Sequence, residues 1–152
     1  TEDLQVASSR EVTVVCDRSI AEDDFDFDAY DMLVLPGGIP GMPNLRACEK
    51  LCDALVKHAA DGRGVAAICA SPSILAELGI LEGKHATANP YFQNAVVEHG
   101  GVLEADKKAV TDGNVITSQG MATAVWFGLE IVKRYVPDEV VEHVKEGIVL
   151  MD

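Results

Sequence analysis

Apolar residues in this chain gather into short blocks divided by turn formers, with helical periodicity between the blocks. Residues 11–16, Glu-Val-Thr-Val-Val-Cys, read as a strand, as do Met32 to Leu35 and Gly64 to Ile68. The acidic stretch from Glu22 to Asp28 reads as a solvated loop or short turn anchored by Phe25 and Phe27. After Pro36-Gly37-Gly38 the period changes. Leu45, Cys48, Leu51, Cys52, Leu55 and Val56 fall on one face, predicting a helix capped by Asn44 and running to about Ala60. A helix from Pro72 to Leu78, a short strand at His85 to Ala88 and a helical stretch at Val96 to His99 follow. Ala109-Val110-Thr111 and Val115-Ile116-Thr117 flank the hairpin-like turn Asp112-Gly113-Asn114. Met121 to Tyr135 reads as a helix, and Pro137 starts another to about Glu146. Strands alternating with helices predict a three-layer α/β domain around a mainly parallel sheet, spanning residues 1–152 without repeat or linker.

The third strand ends in Val65-Ala66-Ala67-Ile68-Cys69-Ala70-Ser71-Pro72. Ser71 suits a helix N-cap and Pro72 the first helical position. Cys69 therefore falls in a sharp strand-to-helix turn, the arrangement that holds a nucleophile out of a sheet. Free N–H groups and the positive end of the helix would lie near the sulfur and favour its anionic, nucleophilic form.

Composition narrows the function. The 152 residues carry a net charge of −13, which argues against nucleic acid, because phosphate binding needs clustered Lys and Arg. No apolar run is long enough to span a bilayer, and no signal-peptide pattern is present, so a cytoplasmic setting is expected. Four cysteines, Cys16, Cys48, Cys52 and Cys69, are read as reduced thiols rather than a disulfide framework. Cys48 and Cys52 lie four apart but lack further ligands at usual spacing, so no metal site is expected.

Ligands of parallel α/β sheets bind at the carboxyl ends of the strands. Gly37-Gly38, Cys69-Ala70, Asn89-Pro90 and Ser118-Gln119-Gly120 stand at such ends and outline a small polar pocket around one thiol. Leu35-Pro36-Gly37-Gly38, Ala67-Ile68-Cys69-Ala70-Ser71-Pro72 and Ile116-Thr117-Ser118-Gln119-Gly120 resemble, in order and spacing, the DJ-1/ThiJ/PfpI superfamily. The likeness is greatest to the branch holding the Parkinson-associated protein and its bacterial relatives. It implies a flavodoxin-like α/β sandwich, usually homodimeric and without cofactor. Carried over, Cys69 is the reactive cysteine, the amides of Gly38 and Ala70 stabilise an oxyanion, and Gly37, Asn89 and Ser118 contact substrate. Members of the superfamily act as cofactor-free glyoxalases, protein deglycases, redox-responsive chaperones, amidases or peptidases. The expected partner is thus a small aldehyde or a glycated substrate.

Two departures qualify the resemblance. The family opens with a strand, a glutamate-bearing loop, a helix and a second strand, whereas the matching region here begins near Leu4-Gln5-Val6. Glu2 is not in the glutamate motif. The expectation is that this element is a separate amino-terminal polypeptide, an unseen segment or a partner's contribution. Second, Ala70 follows Cys69 and Asn89 precedes Pro90, where many relatives carry a histidine. Asn cannot take a proton at neutral pH, and His85 lies four residues back along its strand, so a Cys–His dyad is not expected.

Each candidate also has a plainer reading. Cys69 is a possible core cysteine, Gly37 and Gly38 a simple turn, Asn89 a turn residue, Ser118 a helix cap, and Arg10 a surface arginine rather than a basic residue at the pocket. His58, His99 and His143 are read as helix-surface or loop-edge residues, and Trp126 and Phe127 as core or dimer contacts. Two functions remain: a cysteine-dependent enzyme of glyoxalase or deglycase type, and a redox sensor or stress chaperone built on an oxidisable Cys69.

Overall fold

The computed structural model describes residues 3–8 and 10–150. Its centre is a four-stranded sheet ordered β3-β4-β8-β7, made of β3 (Met32–Leu35), β4 (Gly64–Ile68), β7 (Ala109–Asp112) and β8 (Val115–Ser118). β3, β4 and β8 run parallel, and β7 closes back antiparallel on β8 through the Gly113 turn. Helices cover both faces: α1 (Gly41–Arg46), α2 (Glu49–Ala60) and α3 (Pro72–Glu77) on one side, α5 (Ala124–Lys133) on the other. The three-layer α/β sandwich with a mainly parallel sheet is therefore the fold observed.

Alternation along β4 explains the layers. Val65 and Ala67 point into a core shared with Leu33, Leu35, Leu51, Leu55, Ile74 and Leu75. Ala66 points to the opposite face, with Ile116 and Phe127, and partly buried Met32, Ile68 and Ile131 pack around them. A central strand buried on both faces needs a continuous apolar run, which Gly64 to Ile68 supplies. β3 has β4 as its one neighbour among the described strands, and Val34 on it is 47% exposed.

Smaller elements surround this frame. β1 (Gln5–Ala7) and β2 (Thr13–Val15) form an antiparallel ribbon, β5 (His85–Ala86) and β6 (Val102–Leu103) a short parallel pair. α4 (Gln93–Glu98) packs on α3, and α6 (Asp138–Gly147) on α5.

Several expectations are corrected. The helix expected from Asn44 to Ala60 is two helices, because Cys48 is extended (ψ 92°) and starts α2 as its N-cap; Asn44 lies inside α1. Residues 22–28, by contrast, end as expected in a short turn, a 3-10 turn at Phe27–Ala29, with Phe25 edge-on to Phe27 at 4.9 Å. The helix expected at Val96 to His99 begins earlier, at Gln93, and Met121–Thr123 is a 3-10 turn before α5. His58 is fully buried under Phe27, its Nε2 3.1 Å from the Phe27 carbonyl, not at a helix surface.

Candidate functional site

The site is built at the carboxyl end of β4. Cys69 takes φ +67°, a left-handed conformation that costs a residue with a Cβ about 1–2 kcal/mol. Neighbouring backbone fixes it there. Its N–H donates to the Ser118 carbonyl at 3.0 Å, and its carbonyl accepts from the Asn89 N–H at 2.9 Å. The elbow is thus clamped between the end of β8 and the loop after β5. Gly37, at the end of β3, abuts the cysteine side chain with no room for a Cβ of its own. Ser71 occupies the N-cap position of α3, but its hydroxyl makes no capping bond; it donates to the Pro36 carbonyl at 2.6 Å. The cap motif therefore ties the elbow to the glycine turn.

Cys69 opens into a cavity of about 350 Å³. Gly38, Ala70 and Asn89 line it with Cys69, Ile39 and Phe92 add apolar wall, and Tyr91 and Arg10 complete the lining. Gly38 is at φ +101°, a conformation open to glycine. The backbone N–H groups of Gly38 and Ala70 donate to no acceptor among the described residues. Arg10 reaches the site from the turn of the β1–β2 ribbon, where Glu11 has φ +62° and Ser8 Oγ accepts from the Arg10 N–H. Its guanidinium makes no ion pair among the described residues.

Of the residues singled out in the sequence, Cys69, Gly38, Ala70 and Asn89 meet at this cavity, and Gly37 supports it from behind. Asn89 also serves as a turn residue: its Oδ1 accepts from the Tyr91 N–H at 3.2 Å, capping the turn at Pro90–Phe92. Ser118 is corrected. It is fully buried, and its hydroxyl is held by the Lys108 carbonyl and Thr123 Oγ1, both at 2.7 Å, so it offers its backbone to Cys69 and no side chain to the pocket. Ile39, Tyr91 and Phe92 were not singled out; the turn signal Asn89-Pro90 was the available hint for the last two.

Among the described residues, no carboxylate or imidazole lines the cavity. His85 is elsewhere, its Nδ1 2.6 Å from Glu104 Oε1. Among the described residues no three His, Cys, Asp or Glu side chains converge as metal ligands, and no helix is long and apolar enough to cross a membrane. What the arrangement can do chemically is present one thiol to a small molecule, with two backbone donors, one amide and one guanidinium around it.

Known proteins carry the same frame. The chain is 37% identical over 133 residues to Protein DJ-1 homolog B of Arabidopsis thaliana, covering 87% of this chain and 29% of that protein. It is 35% identical to Protein dj-1beta of Drosophila melanogaster, covering 95% of this chain and 76% of that one. The crystal structure of Drosophila melanogaster DJ-1beta superposes with a TM-score of 0.87 at 33% identity, over 99% of this chain and 79% of that chain. The structure of oxidized Toxoplasma gondii DJ-1 superposes at 0.84 with 27% identity, over 98% and 79%. With the DJ-1/PfpI profile matching residues 1–134, the chain belongs to the DJ-1/PfpI family.

Proposed function

We propose that the chain is a cysteine-centred catalyst acting on small reactive aldehydes, above all 2-oxoaldehydes and their adducts on amines. One observation supports this most: Cys69 is held in a strained elbow beside two backbone donors that have no acceptor among the described residues. Strain of this kind persists where the surroundings over-determine it, and it clusters at working sites.

The Cys69 thiolate adds to the aldehyde carbon, and the carbonyl electron pair moves to oxygen. The Gly38 and Ala70 N–H groups donate to that oxyanion, an interaction strengthened as charge develops. Protonation gives a hemithioacetal. Transfer of its C1 proton to C2 gives a thioester of a 2-hydroxy acid, and water then releases the acid and the thiol. The transfer needs a proton acceptor. Asn89 is too weak a base for this, so the acceptor is water or a group outside the residues that line the cavity. The test is turnover of methylglyoxal by a Cys69→Ser variant: complete loss with the fold kept is expected, and retained turnover overturns the reading.

A second reading starts from the described cavity lining, in which a thiol stands beside backbone amides with no carboxylate or imidazole among the described residues. A thiol in that setting is suited to oxidation, and the same two amides favour a sulfinate. A solved relative described as oxidized supports it. At low peroxide, sulfinic acid at Cys69 with none at Cys16, Cys48 or Cys52 is expected; equal sulfinic acid at all four counts against sensing.

A further inference from the structure

A second thiol site lies away from the pocket, where α1 meets α2. Cys48 is the N-cap of α2, and Cys52 stands one turn further on. The Cys52 N–H donates to the Cys48 carbonyl at 3.0 Å, so the two residues share one helical turn. Four residues of helix separate Cα atoms by about 6 Å along the axis, within the range that disulfides span. Side-chain direction agrees. Helical side chains lean toward the N-terminus. Cys52 Sγ does so, lying 3.4 Å from the Arg46 carbonyl and 4.0 Å from that of Leu45, the residues just before Cys48. Cys48 is extended rather than helical, at φ −84° and ψ 92°, which leaves its side chain outside the regular helical ladder. Both thiols are free and half-buried.

We propose that Cys48 and Cys52 are a paired redox site, oxidised by a hydroperoxide to a disulfide across the first turn of α2. One thiolate attacks the peroxide oxygen, the O–O bond breaks, and a sulfenic acid and a hydroxide form. The second thiolate attacks the sulfenic sulfur and expels its hydroxide. The two thiol protons turn both hydroxides into water, so one peroxide is reduced by two electrons and one S–S bond is made. The bond removes the Cys52 S–H that donates to the Arg46 carbonyl, placing its consequence at the α1–α2 junction. Burial, and then the neighbouring Cys48, push the Cys52 thiol up from its ordinary range. The reaction is therefore expected to quicken toward alkaline pH. This site is independent of the chemistry assigned to Cys69.

The chain itself supplies a clean assay. Trypsin cleaves after Arg46, Lys50 and Lys57, so Cys48 and Cys52 fall on separate peptides, 47–50 and 51–57. The folded chain is treated with hydrogen peroxide at equal concentration, alkylated with N-ethylmaleimide, digested and mapped without reductant. The expected product is 47–50 joined to 51–57, released by dithiothreitol, and retained in a Cys69→Ser variant. A Cys48→Ser variant should leave Cys52 alkylated under the same dose. The proposal is overturned if both peptides are recovered singly, if either cysteine is joined to Cys16 or Cys69 instead, or if the linkage vanishes in Cys69→Ser.

Discussion

Gly37 and Cys69 are packed so closely that a Cβ added to Gly37 would lie 2.4 Å from Cys69 Cβ and 3.2 Å from its sulfur. The Ile68 carbonyl would be 2.9 Å away on the same side. Two of these contacts are with groups fixed by β4, so the added carbon must displace the elbow. Gly37→Ala is expected to cost roughly 1–3 kcal/mol, as overpacking does. It should also change the rate at which Cys69 reacts with iodoacetamide. Thermal unfolding and alkylation kinetics check both; wild-type values in each would show that the elbow yields freely.

The strain at Cys69 predicts an opposite effect of glycine there. At φ +67° a Cβ is disfavoured and glycine is not. Cys69→Gly is expected to raise stability by about 1 kcal/mol, or ~3 °C in melting temperature for a chain of this size. Cys69→Val, branched at the strained position, should lower it. Calorimetry of the two variants reads the difference, and equal melting temperatures would mean the elbow is not strained.

Ser71 links the two turns that meet at the pocket. Its hydroxyl donates to Pro36, while Ser73 Oγ donates to the Ala70 carbonyl at 2.7 Å. Ser71→Ala removes the one side-chain bond between the elbow and the Pro36-Gly37-Gly38 turn. A loss of about 1–2 kcal/mol is expected in urea unfolding, because the hydroxyl lies where the residue is fully buried. If Gly38 acts as proposed, turnover of methylglyoxal should fall as well.

Much of this was legible in the chain. Met32 to Leu35 and Gly64 to Ile68 are short apolar runs between turn formers; the second is what a strand buried on both faces requires, while the first leaves Val34 exposed on one face. The elbow was legible because Ser71-Pro72 marks a helix start directly after such a run. The break before Cys48 was not, since Leu45 to Leu51 holds no Gly or Pro and the helical period runs through it. His58 was misplaced by residue type. Its position continues the buried series Leu51, Leu55, His58, and the period outweighed polarity. Ser118 shows a limit of another kind: a strand-end residue is easily located, but which neighbour takes its hydroxyl depends on Lys108 and Thr123, set by packing alone.

Arg10 is the one charged residue among the described residues that line the cavity, within a chain of net charge −13. An arginine lining a thiol pocket, with no counter-ion among the described residues, favours an electrophile that carries a negative group. Arg10→Ala is expected to raise the inhibition constant of glyoxylate, which can add reversibly to Cys69 but has no ketone carbon to rearrange, about tenfold, the size of one charged hydrogen bond, while leaving KM for uncharged methylglyoxal nearly unchanged. Inhibition kinetics with methylglyoxal as substrate separate this from a general loss of structure, which would weaken both.

Asp28 predicts how the fold responds to acid. Its carboxylate is hydrogen-bonded by Lys57, with Arg63 Nη1 3.4 Å away, and these cations hold it below the usual carboxylate range. The same pairing raises Lys57, chiefly through its hydrogen bond to Asp28. A carboxyl whose folded value is depressed stabilises the fold above its unfolded value, roughly 3.9 for Asp, and that contribution is lost as pH falls through the folded value. Wild type should therefore melt above Asp28→Asn at pH 6, with the gap narrowing below about pH 4 and closing once the carboxyl is protonated. Because both partners are exposed, 0.5 M salt should shrink the gap at pH 6 as well. A gap that stays constant down to pH 2 would mean that the Asp28 carboxylate does not stabilise the fold through its charge.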